Sequence, residues 1–273
     1  MPSLLFSVND SFVSQLVTTL YSIRENSSFE RLTVYVMQQQ PLAKQDQLAK
    51  VCRKLGMDYQ PLVVGPRLFK DSPTTDRYPE TIYYRLLAQE FLPADLERVL
   101  YLDADILCIN DLRPLFELEL GTAPYAAASH SQLTEMANVI NKVRLQNYEA
   151  ESYFNSGVLL MNLPEIRRLV SRQAIFDFIE KNWFQLFLPD QDVLNGLYGE
   201  RILSLPDQLY NFDVRNKLVY ETISRGQWNL DWVVANTVLL HFCGRDKPWQ
   251  PDYSGRFGAL YKHYRHRSEK LLR

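Results

Sequence analysis

Two short apolar runs near the start of the chain, residues 4–8 (LLFSV) and 32–37 (LTVYVM), are each followed by a helix-like stretch. After the first, Asn9, Asp10 and Ser11 form a polar loop suited to capping a helix. Phe12, Leu16, Leu20 and Ile23 then recur three or four residues apart, as on one face of a helix. After the second run, residues 44–55 read the same way. This alternation predicts buried strands with helices packed on the sheet, the usual opening of a nucleotide-binding α/β domain. No Gly-x-Gly-x-x-Gly turn follows the first strand and no Gly-Lys-Ser/Thr loop occurs, which argues against dinucleotide dehydrogenases and P-loop enzymes.

Further along, residues 65–79 carry Pro66, Pro73 and Pro79 and read as an exposed loop, and residues 80–91 read as a helix. Strands are expected at 98–102, 123–129, 157–162 and 237–241. Residues 164–182 are expected to form one long helix with Pro at its start, and 190–198 a short one. The expected architecture is a single Rossmann-like α/β domain with a mixed central sheet over residues 1–260. Residues 261–273 (YKHYRHRSEKLLR) form a basic tail or last helix in which five Lys/Arg accompany one Glu. Such a segment is a solvated helix or a weak peripheral contact with an anionic membrane.

Charge and cysteine usage narrow the function. With a net charge of -2, the chain lacks the bulk positive charge of a nucleic-acid binder. Cys52, Cys108 and Cys243 are odd in number and have no metal-ligand spacing, so neither a disulfide framework nor a zinc site is expected. The first ten residues lack a signal peptide's basic start and apolar stretch, and no apolar run approaches the ~20 residues of a membrane span. A cytoplasmic protein is expected, touching the inner face of the membrane at most through its tail.

Two Asp-x-Asp pairs occur, Asp103-Ala104-Asp105 and Asp190-Gln191-Asp192. The first stands where an apolar strand runs out at its carboxyl end, the edge at which open α/β sheets bind ligands. Strand alternation points both carboxylates the same way, and such a pair repels unless a cation lies between. The competing role for Asp105 is a cap on the turn at Asn110-Asp111. Beyond the last strand, His241 precedes a turn containing Gly244 that delivers Arg245 and Lys247 to the same edge. Gly permits close backbone approach, and Lys offers a point charge for phosphate. Two Asp, one His and a Lys would hold a metal bridging two phosphates. Carboxylates favour Mg²⁺ or Mn²⁺, and imidazole as third ligand favours Mn²⁺.

Ordered segments across the chain then resemble glycosyltransferase family 8, the retaining GT-A-fold group of bacterial lipopolysaccharide galactosyl- and glucosyltransferases and glycogenin. They are residues 6–10 (FSVND), 83–86 (YYRL), 100–105 (LYLDAD), 154–162 (FNSGVLLMN), 189–195 (PDQDVLN) and 241–249 (HFCGRDKPW). The resemblance implies a GT-A nucleotide-diphospho-sugar transferase that moves a hexose, glucose or galactose, from a UDP-sugar to a glycan, glycolipid or glycoprotein acceptor. It implies Asp103, Asp105 and His241 as Mn²⁺ ligands, with Asp103, Ala104 and Asp105 along the donor and Gly244 and Lys247 on the diphosphate. Ser7, Asn9 and Phe12 fall where the family binds uridine, although Ser7-Val8-Asn9 departs from the commoner Asp-Asp-Asn form. Arg85, Asn155, Asp190 and Gln191 match positions that hold the donor sugar near its anomeric carbon. Loops 65–79 and 131–151 would shape the acceptor site.

Two other classes compete. Haloacid-dehalogenase phosphatases also use a strand-terminal Asp-x-Asp, but want Thr or Val where Leu107 stands, and their motif lies near the N-terminus. A catalytically inactive nucleotide-sugar-binding module would lose metal ligands that this chain retains.

Overall fold

The computed structural model describes residues 1–75, 79–129, 145 and 152–272. Its strands, in chain order, are β1 (Ser3–Ser7), β2 (Leu32–Gln38), β3 (Met57–Val63), β4 (Arg98–Leu102), β5 (Ile106–Cys108), β6 (Tyr125–Ser129), β7 (Phe154–Asn162), β8 (Ile202–Leu205), β9 (Phe212–Asp213) and β10 (Leu239–His241). Seven of them form one sheet in the order β3-β2-β1-β4-β7-β6-β8, and β5-β10-β9 form a second. In the large sheet β7 runs against β4 and β6, and every other pairing is parallel. The sheet is therefore mixed, as the sequence predicts.

The large sheet carries apolar cover on both sides. Leu4, Phe6, Leu100 and Leu102 point to one core, which includes Leu16, Leu20 and Ile23 of the helix Val13–Asn26. Leu5, Val99 and Tyr101 point to the other, with Leu86, Leu87, Val193 and Leu194. Alternation along β1 and β4 thus feeds two layers, which explains why these strands are apolar throughout rather than every second residue. A third cluster built on Leu107, Phe212, Tyr220, Leu240, Phe242 and Tyr261 closes the small sheet.

Several elements depart from the sequence expectation. The stretch 164–182 is two helices, Leu163–Leu169 and Arg172–Lys181. Val170 and Ser171 are extended between them, and the Ser171 hydroxyl accepts from the Ala174 amide as a new N-cap. The segment Glu80–Glu90 is a 3₁₀ helix, kinked at Leu87. β3 goes unpredicted because Pro61 interrupts it, and β3 stands at the sheet edge, where proline is tolerated. The loop 131–151 assigned to the acceptor lies outside the described residues apart from Leu145, as do residues 76–78 of the loop 65–79.

The last helix, Gly258–Glu269, lies against Val13–Asn26. Tyr261 and Ser268 are buried, the Ser268 and Thr18 hydroxyls share a hydrogen bond of 3.2 Å, and Asn26 donates to the Tyr264 hydroxyl. Leu271 and Leu272 pack on the main core while Lys262, His263, His266 and Arg267 remain exposed. Truncation after Leu260 is therefore expected to destabilise the protein by on the order of 3 kcal/mol or more, the scale of losing one buried aromatic side chain. Thermal unfolding measures this, and an unchanged Tm would contradict the packing role. Among the described residues, no helix is long and apolar enough to cross a membrane.

Candidate active site

Strand pairing assembles the site. At the end of β4 the Asp103 amide still donates to the Gly157 carbonyl of β7, at 2.8 Å. After Asp105 the chain leaves the large sheet and enters the small one as β5, where Ile106 lies opposite His241 of β10. The Phe242 amide donates to the Asp105 carbonyl at 3.1 Å. Asp103-Ala104-Asp105 is thus the joint between two sheets, and the antiparallel register of β5 and β10 brings His241 to it. One ligand atom from each of Asp103, Asp105 and His241 lies within 4.8 Å of the other two. His241 Nε2 is 3.2 Å from Asp105 Oδ1 and 3.9 Å from Asp103 Oδ2.

Each carboxylate also has a cationic neighbour. Arg85 Nη2 is 2.9 Å from Asp103 Oδ1, which accepts in addition from the Tyr101 hydroxyl. Lys247 Nζ lies 2.5 Å from Asp105 Oδ2 and donates to the Phe242 carbonyl. Burial raises the Asp105 pKa, but Lys247 and His241 outweigh it and hold the carboxyl far below its ordinary range. Burial likewise disfavours charge on the His241 imidazole, yet Cys243 and Asp105 raise its pKa well above the usual histidine value. The expected capping role for Asp105 at Asn110-Asp111 is not found. The Arg113 amide there is capped by Asp111, and the Leu112 amide by the Ser27 hydroxyl.

These residues fit a divalent cation on three counts. Asp105 Oδ1 is buried and accepts no well-aligned hydrogen bond, its neighbour being His241 Nε2 at 3.2 Å, so the two groups are left for a shared ligand to complete. Two carboxylates and an imidazole form a donor set suited to a divalent metal ion. Finally, Gly157 leaves the space open: a Cβ there would collide with His241 Cε1 and stand 2.7 Å from Asp103 Oδ2.

On the other side of Asp103 lies a buried polar group. Arg85 is nearly fully buried, its Nε 3.3 Å from Asp190 Oδ2 and its Nη1 donating to the Ser156 carbonyl. It joins the Asp103 and Asp190 carboxylates through one planar fork, with its guanidinium carbon 4.3 Å from the Tyr101 ring centroid. The Ser156 hydroxyl donates to Asp190 Oδ2. Burial raises the Asp190 pKa despite Arg85 and Ser156. Gln191 Oε1 accepts from Asn155 Nδ2 at 3.1 Å and from the Ser156 amide. Asp192, the last member of the second Asp-x-Asp, turns away from this group. It accepts from the Tyr153 hydroxyl and from the Phe187 and Leu188 amides, fixing the entry to the helix Pro189–Tyr198.

The remaining predicted residues are spread around this centre. Gly244 has φ +90°, which favours glycine, and a Cβ there would stand 2.9 Å from Arg215 Nη1. Asn9 caps the turn that follows β1 and lines a cavity of about 760 Å³ with Val8, Gln39, Glu80 and Thr81. Ser7 donates to the Thr81 carbonyl at 2.6 Å, and Phe12 meets Trp249 edge to face. None of Ser7, Phe12, Asp103, Asp105 and His241 lines that cavity. Sequence reasoning passed over Asn211, whose side chain touches both His241 and Asn155, and Arg215, clamped on Asp213 beside Gly244. The Asp-x-Arg spacing of the latter pair was its one visible signal.

Comparison with known proteins points one way. The family described as glycosyl transferase family 8 matches residues 3–252. A lipopolysaccharide 1,2-glucosyltransferase of Escherichia coli is 28% identical over 271 residues, covering 94% of this chain and 75% of that protein. General stress protein A of Bacillus subtilis is 25% identical, covering 80% and 76%. Among solved structures, the galactosyltransferase LgtC in complex with donor and acceptor sugar analogues superposes with a TM-score of 0.82. It is 24% identical, with 97% of this chain and 95% of that chain covered.

Proposed function

Since the chain belongs to glycosyl transferase family 8, a glycosyltransferase family, we propose that it is a retaining, Mn²⁺-dependent hexosyltransferase. It takes glucose or galactose from a UDP-sugar and passes it to a glycan, glycolipid or glycoprotein acceptor. The observation that carries this reading is the convergence of Asp103, Asp105 and His241, with one ligand atom of each within 4.8 Å of the others. The family match also displaces the phosphatase alternative.

Asp103, Asp105 and His241 would hold the cation, with Mg²⁺ as a weaker substitute for Mn²⁺. A bound cation supplies Lewis-acid stabilisation to the diphosphate as the glycosidic bond breaks. The chain's own groups do the rest. Lys247 adds a fixed positive charge at the same edge, and Gly244 lets backbone come close to phosphate. Ser7, Asn9 and Phe12 mark the uridine end. Arg85, Asn155, Asp190 and Gln191 orient the sugar, and Asp190 sets negative potential beside its developing positive charge. Gln191 Oε1 already accepts two hydrogen bonds, and Asp190 Oδ2 is tied to Arg85 and Ser156. The Gln191 amide is a poor nucleophile, which favours acceptor attack from the face that UDP leaves over a covalent glycosyl-enzyme on Asp190. The reaction belongs in the cytoplasm, where the exposed basic residues of the last helix form a solvated face or a weak contact with the inner membrane surface.

A screen of UDP-sugars for Mn²⁺-dependent UDP release, with and without glycan acceptors, tests the reading. UDP-glucose or UDP-galactose should be turned over, and no release from any UDP-sugar with Mn²⁺ present would refute it. Lys247→Ala is expected to weaken UDP binding by ~1–3 kcal/mol, the scale of a charge-assisted hydrogen bond. Calorimetry showing unchanged UDP affinity would remove Lys247 from the donor site.

A further inference from the structure

A line of four side chains runs from His241 to the sugar-facing group. His241 Nδ1 is 2.8 Å from Asn211 Oδ1, and Asn211 Nδ2 is 2.9 Å from Asn155 Oδ1. Asn155 Nδ2 is in turn 3.1 Å from Gln191 Oε1. Asn211 is wholly buried. It stands immediately before β9, whose pairing with β10 places Asp213 beside His241.

The direction of this chain is fixed by backbone groups that can only donate. The Gly157 amide donates to Asn155 at 2.9 Å, so the Asn155 atom it meets is the oxygen. The Asn211 atom that meets the same oxygen must then be its NH₂. That leaves the Asn211 carbonyl facing His241 Nδ1, and a carbonyl only accepts. At the far end the Ser156 amide likewise fixes the Gln191 oxygen toward Asn155. The orientation of all three amides in the line therefore follows from backbone donors at Gly157 and Ser156.

We propose that Asn211 is a positioning residue: it holds a proton on His241 Nδ1 and so leaves Nε2, which faces the Asp103–Asp105 side, as the nitrogen that gives up its proton to a divalent cation. The assignment rests on the metal-site reading above and adds to it a residue outside the ligand set. A ring nitrogen binds metal only when unprotonated, and the partner of the other nitrogen decides which one that is. The same line ties the orientation of the imidazole to that of Gln191, so metal ligand and sugar-facing amide are set as one unit.

The test compares wild type, Asn211→Leu and Asn211→Asp, with Mn²⁺ itself as probe and free Mn²⁺ read by electron paramagnetic resonance. Asn211→Leu removes the acceptor and should weaken Mn²⁺ binding about 10–100-fold. Asn211→Asp keeps an acceptor toward Nδ1 but loses the donor to Asn155, and should bind Mn²⁺ more tightly than Asn211→Leu. Mn²⁺ affinity in Asn211→Leu equal to wild type, or equal losses in both variants, would overturn the proposal. A second measurement needs no variant to fold. Long-range ¹H–¹⁵N spectra of histidine-labelled wild type, metal-free and with Mg²⁺, should show the His241 Nδ1 protonated in both. An unprotonated Nδ1 in either overturns the proposal. Wild type that binds no Mn²⁺ would instead refute the metal reading, and the spectra alone would still decide where the proton sits.

Discussion

Asp103→Asn should lower Mn²⁺-dependent sugar transfer by about 10³-fold or more while leaving the fold intact. The two halves of that expectation have separate causes. Asp103 Oδ1 accepts from the Tyr101 hydroxyl and faces Arg85, and an amide oxygen can do both. The Asp103 backbone amide, bonded to Gly157, is untouched. What the amide cannot supply is the second anionic oxygen, Oδ2, which turns toward His241. Losing one anionic ligand removes several kcal/mol of transition-state charge stabilisation, which corresponds to that loss of rate. Steady-state UDP release together with circular dichroism checks both halves. Wild-type turnover in the variant would exclude Asp103 from the metal set.

Gly157→Ala comes second in expected effect, although it adds a single methyl group to a residue with no chemistry of its own. β7 points that position into the space between the ligands, where a Cβ would collide with His241 Cε1 and crowd Asp103 Oδ2 and Asn155 Oδ1. Its nearest neighbours are the side chains of the candidate site, two of them proposed ligands. Relief requires His241 or Asp103 to shift. Overpacking of this kind costs about 1–3 kcal/mol, and a ligand displaced even slightly degrades the constellation further. Mn²⁺ affinity should fall at least ~10-fold, with catalysis falling in step. Calorimetric Mn²⁺ titration reads the first and UDP release the second. Wild-type values for both would mean that the ligands do not converge at Gly157.

How far the sequence reveals this arrangement depends on the range of the interaction. The strands at 4–8 and 98–102 are legible because a strand covered on both faces must be apolar at every position. The sudden change to Asp103-Ala104-Asp105 marks its carboxyl end. The break at Ser171 was a local signal available to inspection, a good N-cap residue within a helical run. His241 is different. Its approach to Asp103 depends on β5 and β10 pairing across more than a hundred residues, and neither three-residue strand has a pattern that specifies its partner. The sequence marks His241 only as a histidine before a Gly-containing turn that carries Arg245 and Lys247, and the family resemblance adds its role as a metal ligand. Asn211 was illegible for a related reason. It is one asparagine in an irregular stretch, and its role exists only through two hydrogen bonds to residues far away in the chain. The resemblance puts Arg85 beside the sugar, and the fold adds that it is a buried tie between two carboxylates.

The metal site is tested most directly by anomalous diffraction from crystals soaked with MnCl₂ and UDP. A manganese peak bonded to Asp103, Asp105 and His241 Nε2 and shared with the diphosphate is expected, with Lys247 drawn toward the phosphates. A bound diphosphate with no manganese among those three side chains would contradict it.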